Sequence, residues 1–270
     1  MPAPAATPAL RIAPGLPRLG RARHLVERNF LVFRQAWVVI VSGFFEPLFY
    51  LLSLGVGVSR LVGDVPGPDG PVSYTVFVAP AMLAASAMNG AVLETTFNVF
   101  FKLRFEKVYD AVLATPMTPR DVAVGDVTWA LIRGGTYSVM FLAVMAAMGL
   151  VGSWWGLLAL PGALLIGFAF AAAGMAATTF MRSWQDFEFV NMAILPMFLF
   201  SATFYPLASY PPGLQWVVQA TPLYHGVALE RGFVTGAVGW GTAGHVAYLA
   251  VMGGVALSVA TRRLGRLLLR

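Results

Sequence analysis

The 270-residue chain contains no cysteine, three histidines and, among 18 basic residues, only two lysines, Lys102 and Lys107. The missing cysteines exclude a disulfide framework and a thiolate metal site. His24, His225 and His245 lack the His-Glu-x-x-His spacing of a zinc protease, so structural or interfacial roles suit them better than ligation. Charged residues make up 11%, against about 25% in soluble domains. So few charges cannot cover the surface of a water-soluble protein of this composition. Three motifs are also missing: a phosphate loop of the Gly-x-x-x-x-Gly-Lys-Ser/Thr type, a Gly-x-Ser-x-Gly elbow, and an inverted repeat between the halves. The chain therefore carries no ATP-binding or catalytic motif of its own, and neither a cofactor nor a metal is expected in it.

What remains is apolar: 58% hydrophobic residues and a mean hydropathy of +0.74. The expected fold is an all-α integral membrane protein. Six stretches are long enough for spans of about 20 residues: roughly 36–58, 74–99, 127–148, 154–181, 189–207 and 242–260. Residues 1–20 are rich in Pro and Ala and read as a flexible cytosolic tail, leaving 21–270 as one membrane domain. Fifteen basic residues fall in the N-terminal segment, the 2–3 and 4–5 loops and the C-terminal tail; only Arg60 and Arg231 fall on the other side, and Arg133 lies within span three. The positive-inside rule then puts both termini in the cytosol. The net charge of +6 thus serves topology, and no nucleic-acid partner is expected.

Polar residues inside the spans are few, and each needs a partner, a cavity or the interface. Glu94 and Arg133 lie toward the cytosolic ends of adjacent spans and are expected to pair. Glu46 precedes Pro47, which opens the helix locally; a cavity-facing carboxylate and a hydrogen-bonded structural one both fit. No span carries the run of carboxylates of a proton-coupled pump. Residues Leu19–Gln35 mix arginines with Leu25, Phe30, Leu31 and Phe33, the pattern of an interfacial amphipathic helix or of a plain positive flank.

Two connections stand out. Phe101 to Leu113 reads as a short amphipathic cytosolic helix between spans two and three, or as an interfacial loop. After it, Thr118 can cap a helix with Pro119 at its first position. On the other side, Ala208–Arg231 holds Pro211, Pro212 and Pro222, yet Leu214, Trp216, Val217, Leu223 and Tyr224 are too apolar for a solvated loop. Two short helices dipping into the outer leaflet are expected, broken near Ala220–Pro222, with Glu230 and Arg231 hydrated near the outer surface. A gate and a segment that merely seals the fold both fit.

In order and spacing, Glu46–Val58, Phe77–Met88, Glu94–Phe97, Thr115–Asp126, Phe198–Leu207 and Thr221–Gly226 resemble the permease subunits of type-2 ABC exporters. The resemblance is greatest to the lipo-oligosaccharide (Nod-factor) exporter permeases. Two departures are visible: Glu46 stands where those patterns often have aspartate, and Phe105–Val108 lacks the more usual glycine.

The resemblance implies half of a transporter in a bacterial plasma membrane. Its partners would be a second permease chain, identical or homologous, two copies of a separate ATP-binding subunit that holds ATP and magnesium, and membrane lipid. Leu19–Gln35 would be an elbow helix. Phe101, Arg104, Phe105, Glu106, Tyr109, Asp110 and Leu113 would form the coupling helix. Tyr205, Pro206, Leu214, Trp216, Pro222, Leu223 and Tyr224 would belong to the re-entrant outer gate. An amphiphile such as a lipid, glycolipid, lipo-oligosaccharide or hydrophobic drug suits a wall rich in Phe, Met and Ala. An ion-coupled multidrug transporter, or an integral membrane enzyme or assembly factor, stands as the alternative.

Overall fold

The computed structural model describes residues 20–33, 45, 47–67 and 70–268. Residues 36–44 of the first expected span, Glu46 and the tail before residue 20 lie outside the described residues. In chain order, α1 (Arg21–Phe33) is followed by the short apolar helix α2 (Pro47–Val62). A two-stranded antiparallel hairpin follows, β1 (Asp64–Gly67) with β2 (Gly70–Ser73), in register from Asp64 opposite Ser73 to Gly67 opposite Gly70. The chain is otherwise mostly helical, as expected, and this hairpin is a local departure from the all-α reading. Gly63 at φ 73° and Gly70 at φ 126° supply backbone turns that L-residues resist, so this stretch closes on itself as a hairpin.

Then come α3 (Tyr74–Arg104), α4 (Val108–Leu113), α5 (Pro119–Ala147) and α6 (Trp154–Thr178). They are followed by α7 (Phe187–Phe200), α8 (Pro212–Ala220), α9 (Pro222–Thr235) and α10 (Trp240–Leu268). Among the described residues, α3, α5, α6 and α10 are long and apolar enough to cross a membrane. With 14 residues, α7 is short for a span and contains Pro196.

The core sits where α3 and α6 cross, with Val78, Met82, Met88, Ile166 and Met175 fully buried, and α5, α9 and α10 pack around it. Small residues allow the close crossings. A Cβ on Gly253 of α10 would come 2.4 Å from the Phe168 ring of α6, and one on Gly125 of α5 would come 2.9 Å from Leu25 of α1. The helix starts follow their sequence signals. Ser73 caps α3 by accepting from the Val76 amide, and Thr118 caps α5 in a reciprocal box with Asp121, Pro119 at the first position.

Arg21, Lys102, Arg104, Arg182 and Arg263 gather at one end of the bundle, which we call the basic end. The α8–α9 pair enters from the other, the hairpin end.

Candidate functional site

At the basic end four elements meet on one carboxylate. Asp126 lies on the stripe of α5 that includes Val122, Gly125 and Trp129, all buried. That stripe faces α1, whose own buried stripe is Ala22, Leu25 and Asn29. A carboxylate on such a face must find donors, and Asp126 has three. Lys102 Nζ, near the end of α3, donates to Oδ1 at 2.7 Å and Asn29 Nδ2 at 2.9 Å, while the Tyr109 hydroxyl on α4 donates to Oδ2 at 2.5 Å. Lys102 also donates to Asn29 Oδ1 at 3.2 Å. The Lys102 and Asp126 side chains are 10% and 2% exposed. Burial first, then the neighbouring Asp126 carboxylate, pushes the Tyr109 phenol well above its usual range, so it stays a donor. The elbow, the end of α3, α4 and α5 are thereby tied at a single point.

The segment expected as one helix from Phe101 to Leu113 is two. Phe101 and Arg104 belong to the last turn of α3, and the amides of Phe105 and Glu106 both bond back to the Phe101 carbonyl. The chain then reverses through Lys107, which is left-handed at φ 51°, before α4 begins. The turn exposes Arg104, Phe105, Glu106, Lys107 and Asp110, while Leu113 is half-buried. Tyr109, expected to face a partner, is instead buried and holds the turn to Asp126.

One helical turn-pair deeper, Arg133 of α5 pairs with the Glu94 carboxylate of α3, as the sequence suggests, and donates to Tyr137 at 3.2 Å. Asn98 donates to the same carboxylate at 2.7 Å, and the Arg133 guanidinium lies 4.7 Å from the Phe33 ring centroid of α1. Glu94–Asn98 forms a widened π turn within α3. Its irregular backbone is supported by threonines: Thr95 and Thr96 donate to the Ala91 and Val92 carbonyls, and Thr178 of α6 donates to the Thr95 carbonyl at 2.9 Å.

At the hairpin end the chain breaks at Thr221 between α8 and α9, within the stretch where the prolines put it. Ser201 and Thr221 hydroxyls bond at 2.8 Å, and Gln215 donates to the Tyr210 carbonyl at 2.8 Å. Of the expected gate residues, Tyr205, Leu214 and Trp216 are exposed, Pro206, Pro222 and Tyr224 are half-buried, and Leu223 is buried. His225 and His245 bond to each other through their Nδ1 atoms at 2.8 Å, which accounts for both rings structurally.

The expectation of a hydrated Glu230 and Arg231 is corrected. Glu230 is fully buried against Gly162 of α6, and neither carboxyl oxygen has a partner among the described residues. Arg231 donates to the Ala202 carbonyl at 3.0 Å and stacks 3.8 Å over the Phe77 ring. Both sit on a helix that folds back into the bundle, not at a hydrated outer surface.

The ABC-2 type transporter family model matches residues 21–233. Nodulation protein J of Rhizobium leguminosarum bv. viciae is 32% identical over 247 residues, covering 90% of this chain and 93% of that protein. Nodulation protein J of Rhizobium leguminosarum bv. trifolii is 32% identical over 247 residues, with 90% and 92% covered. That of Rhizobium meliloti (strain 1021) is 32% identical over 213 residues, with 78% and 79% covered.

Proposed function

This chain belongs to the ABC-2 type transporter family and is a membrane ABC transporter permease, and from that premise we propose that it serves an ATP-driven exporter of amphiphiles. A separate ATP-binding subunit, present twice, supplies ATP and magnesium chemistry, and a second permease chain completes the pathway. The basic end faces the cytosol of a bacterial cell and the hairpin end faces outward, in keeping with the fifteen-to-two distribution of basic residues. Six spans, with α7 and the segment ending in α2 making the fifth and first, complete this topology.

The observation that carries the reading is the exposed Phe105–Asp110 turn, anchored through Tyr109 to the buried Asp126 cluster. Phe105 is 63% exposed, an apolar ring stacked on Phe101 at the turn of the basic end. A partner that grips this turn pulls on α3, α4, α5 and α1 together, since all four share Asp126. Closure of the nucleotide-binding pair then favours one of two permease arrangements by the differential free energy of ATP binding. The α8–α9 hairpin is the outer gate: its exposed Leu214, Trp216 and Val217 suit an apolar passenger.

The experiment is co-purification with the ATP-binding subunit and measurement of substrate-stimulated ATP hydrolysis. Alanine at Phe105, Glu106 and Asp110 together, with Tyr109 left in place, is expected to lower both association and stimulation while the chain still inserts. Unchanged association and stimulation would refute the docking assignment.

A further inference from the structure

A groove of about 740 Å³ runs between α6, α7 and α10. Its walls are apolar: Phe170 and Ala177 on α6, Val190 and Ile194 on α7, and Met252 on α10. At one end it stops against Pro222, the tip of the α8–α9 hairpin; at the other it opens beside Arg182 and Asp186. It follows α6 from Phe170 to Ala177 and α7 from Phe189 to Met197, about 10–12 Å of helix at 1.5 Å per residue. A bilayer's hydrocarbon core is about 30 Å thick, so the groove matches one leaflet.

The mouth is cationic. Arg263 of α10 lies 3.6 Å over the Phe180 ring and donates to Thr179 Oγ1 at 3.2 Å. Arg104 of α3 donates to the Met181 carbonyl at 2.9 Å. Arg182 is exposed at the groove's rim. Three arginines from three parts of the chain thus surround the Thr179–Arg182 turn. The acid beside them, Asp186, accepts from the amides of Arg182 at 2.6 Å and Ser183 at 3.1 Å. These backbone donors hold its carboxyl below the usual range and occupy one of its oxygens, so it caps the turn.

We propose that this groove is where an anionic amphiphile of the cytosolic leaflet loads, its acyl chain between α6 and α7 and its acidic headgroup on Arg182, Arg263 and Arg104. The inference rests on the exporter reading and deepens it: the passenger is acidic, enters sideways from the inner leaflet, and meets the hairpin tip at the far end of its chain. An uncharged or zwitterionic lipid fills the apolar wall equally well but gains nothing from the arginines.

The test uses the full-length chain in nanodiscs with phosphatidylglycerol or phosphatidylcholine carrying a diazirine in mid-chain, and peptide mapping of the cross-links. Phosphatidylglycerol is expected to label the stretch from Phe170 to Met197 more strongly than phosphatidylcholine. Arg182→Ala lowers that labelling about fivefold, the effect of one basic residue on an anionic lipid at a membrane surface. Ala177→Trp, which fills the groove, removes the labelling for both lipids, and retained thermal stability checks that the variant is folded. Equal labelling by the two lipids, or labelling that survives Ala177→Trp, overturns the proposal. Stimulation of ATP hydrolysis, read on the complex with the partner subunit, separates the two ideas. A complex that responds to amphiphiles without groove labelling refutes the groove alone, whereas groove labelling without any response refutes the exporter reading.

Discussion

Replacing Asp126 with leucine removes the acceptor shared by Lys102, Asn29 and Tyr109. The cost follows from burial. An exposed ion pair is worth about 0–1 kcal/mol, but this pair is 10% and 2% exposed. Stranding one buried partner costs about 3–5 kcal/mol. On the scale of a chain this size that lowers an apparent Tm by about 6–20 °C. Lys102→Met alone strands the carboxylate, which keeps Asn29 and Tyr109 as donors, so its cost falls at the lower end. In the double variant, Asp126→Leu with Lys102→Met, no charge is left unpaired, and apolar replacement of a buried pair is often neutral or better. The double variant should therefore be more stable than Asp126→Leu alone, with a coupling energy of about 2 kcal/mol or more. Thermal unfolding of the detergent-solubilised chain measures it. If each single variant lies within about 1 kcal/mol of the parent, or if the two effects add, the cluster is not the anchor described. ATP hydrolysis by the complex supplies the second readout. The double variant regains stability but has lost the Tyr109 bond, so its substrate stimulation should stay low; full stimulation would separate Asp126 from coupling.

Three further substitutions test other parts of the structure. Arg133→Met should destabilise by about 3–5 kcal/mol because it strands the buried Glu94, and adding Glu94→Gln should recover much of that loss in thermal unfolding; no recovery would argue against the pairing. Lys107→Gly should raise stability by about 0.5–1 kcal/mol, because glycine tolerates the φ of 51° without the cost of a left-handed L-residue; a drop in Tm would mean that the turn relaxes in the membrane. Glu230→Gln should change stability by less than about 1 kcal/mol, since the carboxyl has no partner among the described residues to lose, whereas Gly162→Ala, whose Cβ would lie 2.5 Å from Oε1, should cost about 1–3 kcal/mol; the reverse ranking would show that Glu230 holds a ligand.

The membrane class, the capped start of α5, the Glu94–Arg133 pair and the break at Thr221 were all legible, because each depends on local rules. Apolar length, a Thr-Pro pair, two opposite charges in neighbouring spans and a proline cluster can be read without knowing what packs where. The Asp126 cluster was not read, although half of it was visible. Asp126 falls on the same helical face as Val122, Gly125 and Trp129, and Asn29 on that of Ala22 and Leu25, so two polar residues interrupt apolar stripes. Which stripe faces which depends on contacts across 97 residues of sequence, and periodicity does not supply them. Glu230 was misplaced for the same reason. The prolines located the hairpin's break, but its depth is set by Gly162 making room for the carboxyl and by Phe77 receiving Arg231. The β1–β2 hairpin was missed because Pro66, Gly67, Gly70 and Pro71 read as loop residues, and only their pairing makes them strands.

One element joins the two ends of the molecule. The 31-residue α3 starts beside Arg231, which stacks on Phe77, and ends at Lys102, which holds Asp126. A continuous helix of that length transmits displacement without loss if it is straight and well bonded. Its weak place is the π turn Glu94–Asn98, where the regular ladder is interrupted and threonine hydroxyls take over. Such turns are uncommon and gather at functional positions. Here the turn also carries Glu94, so this irregular segment of the strut, unlike the interruption at Pro80, is pinned to α5 by Arg133 and to α6 by Thr178. Motion gripped at Phe105 can reach Phe77 along two routes: as a rigid shift of α3, or as a change in the winding of this turn that rotates its outer half against α9. The second route must repack the Glu94–Arg133 pair and the Thr178 bond together. Under the exporter function proposed above, a signal entering at Phe105 would have to break the Glu94–Arg133 pair and the Thr178 bond in one step before it reached the α8–α9 pair.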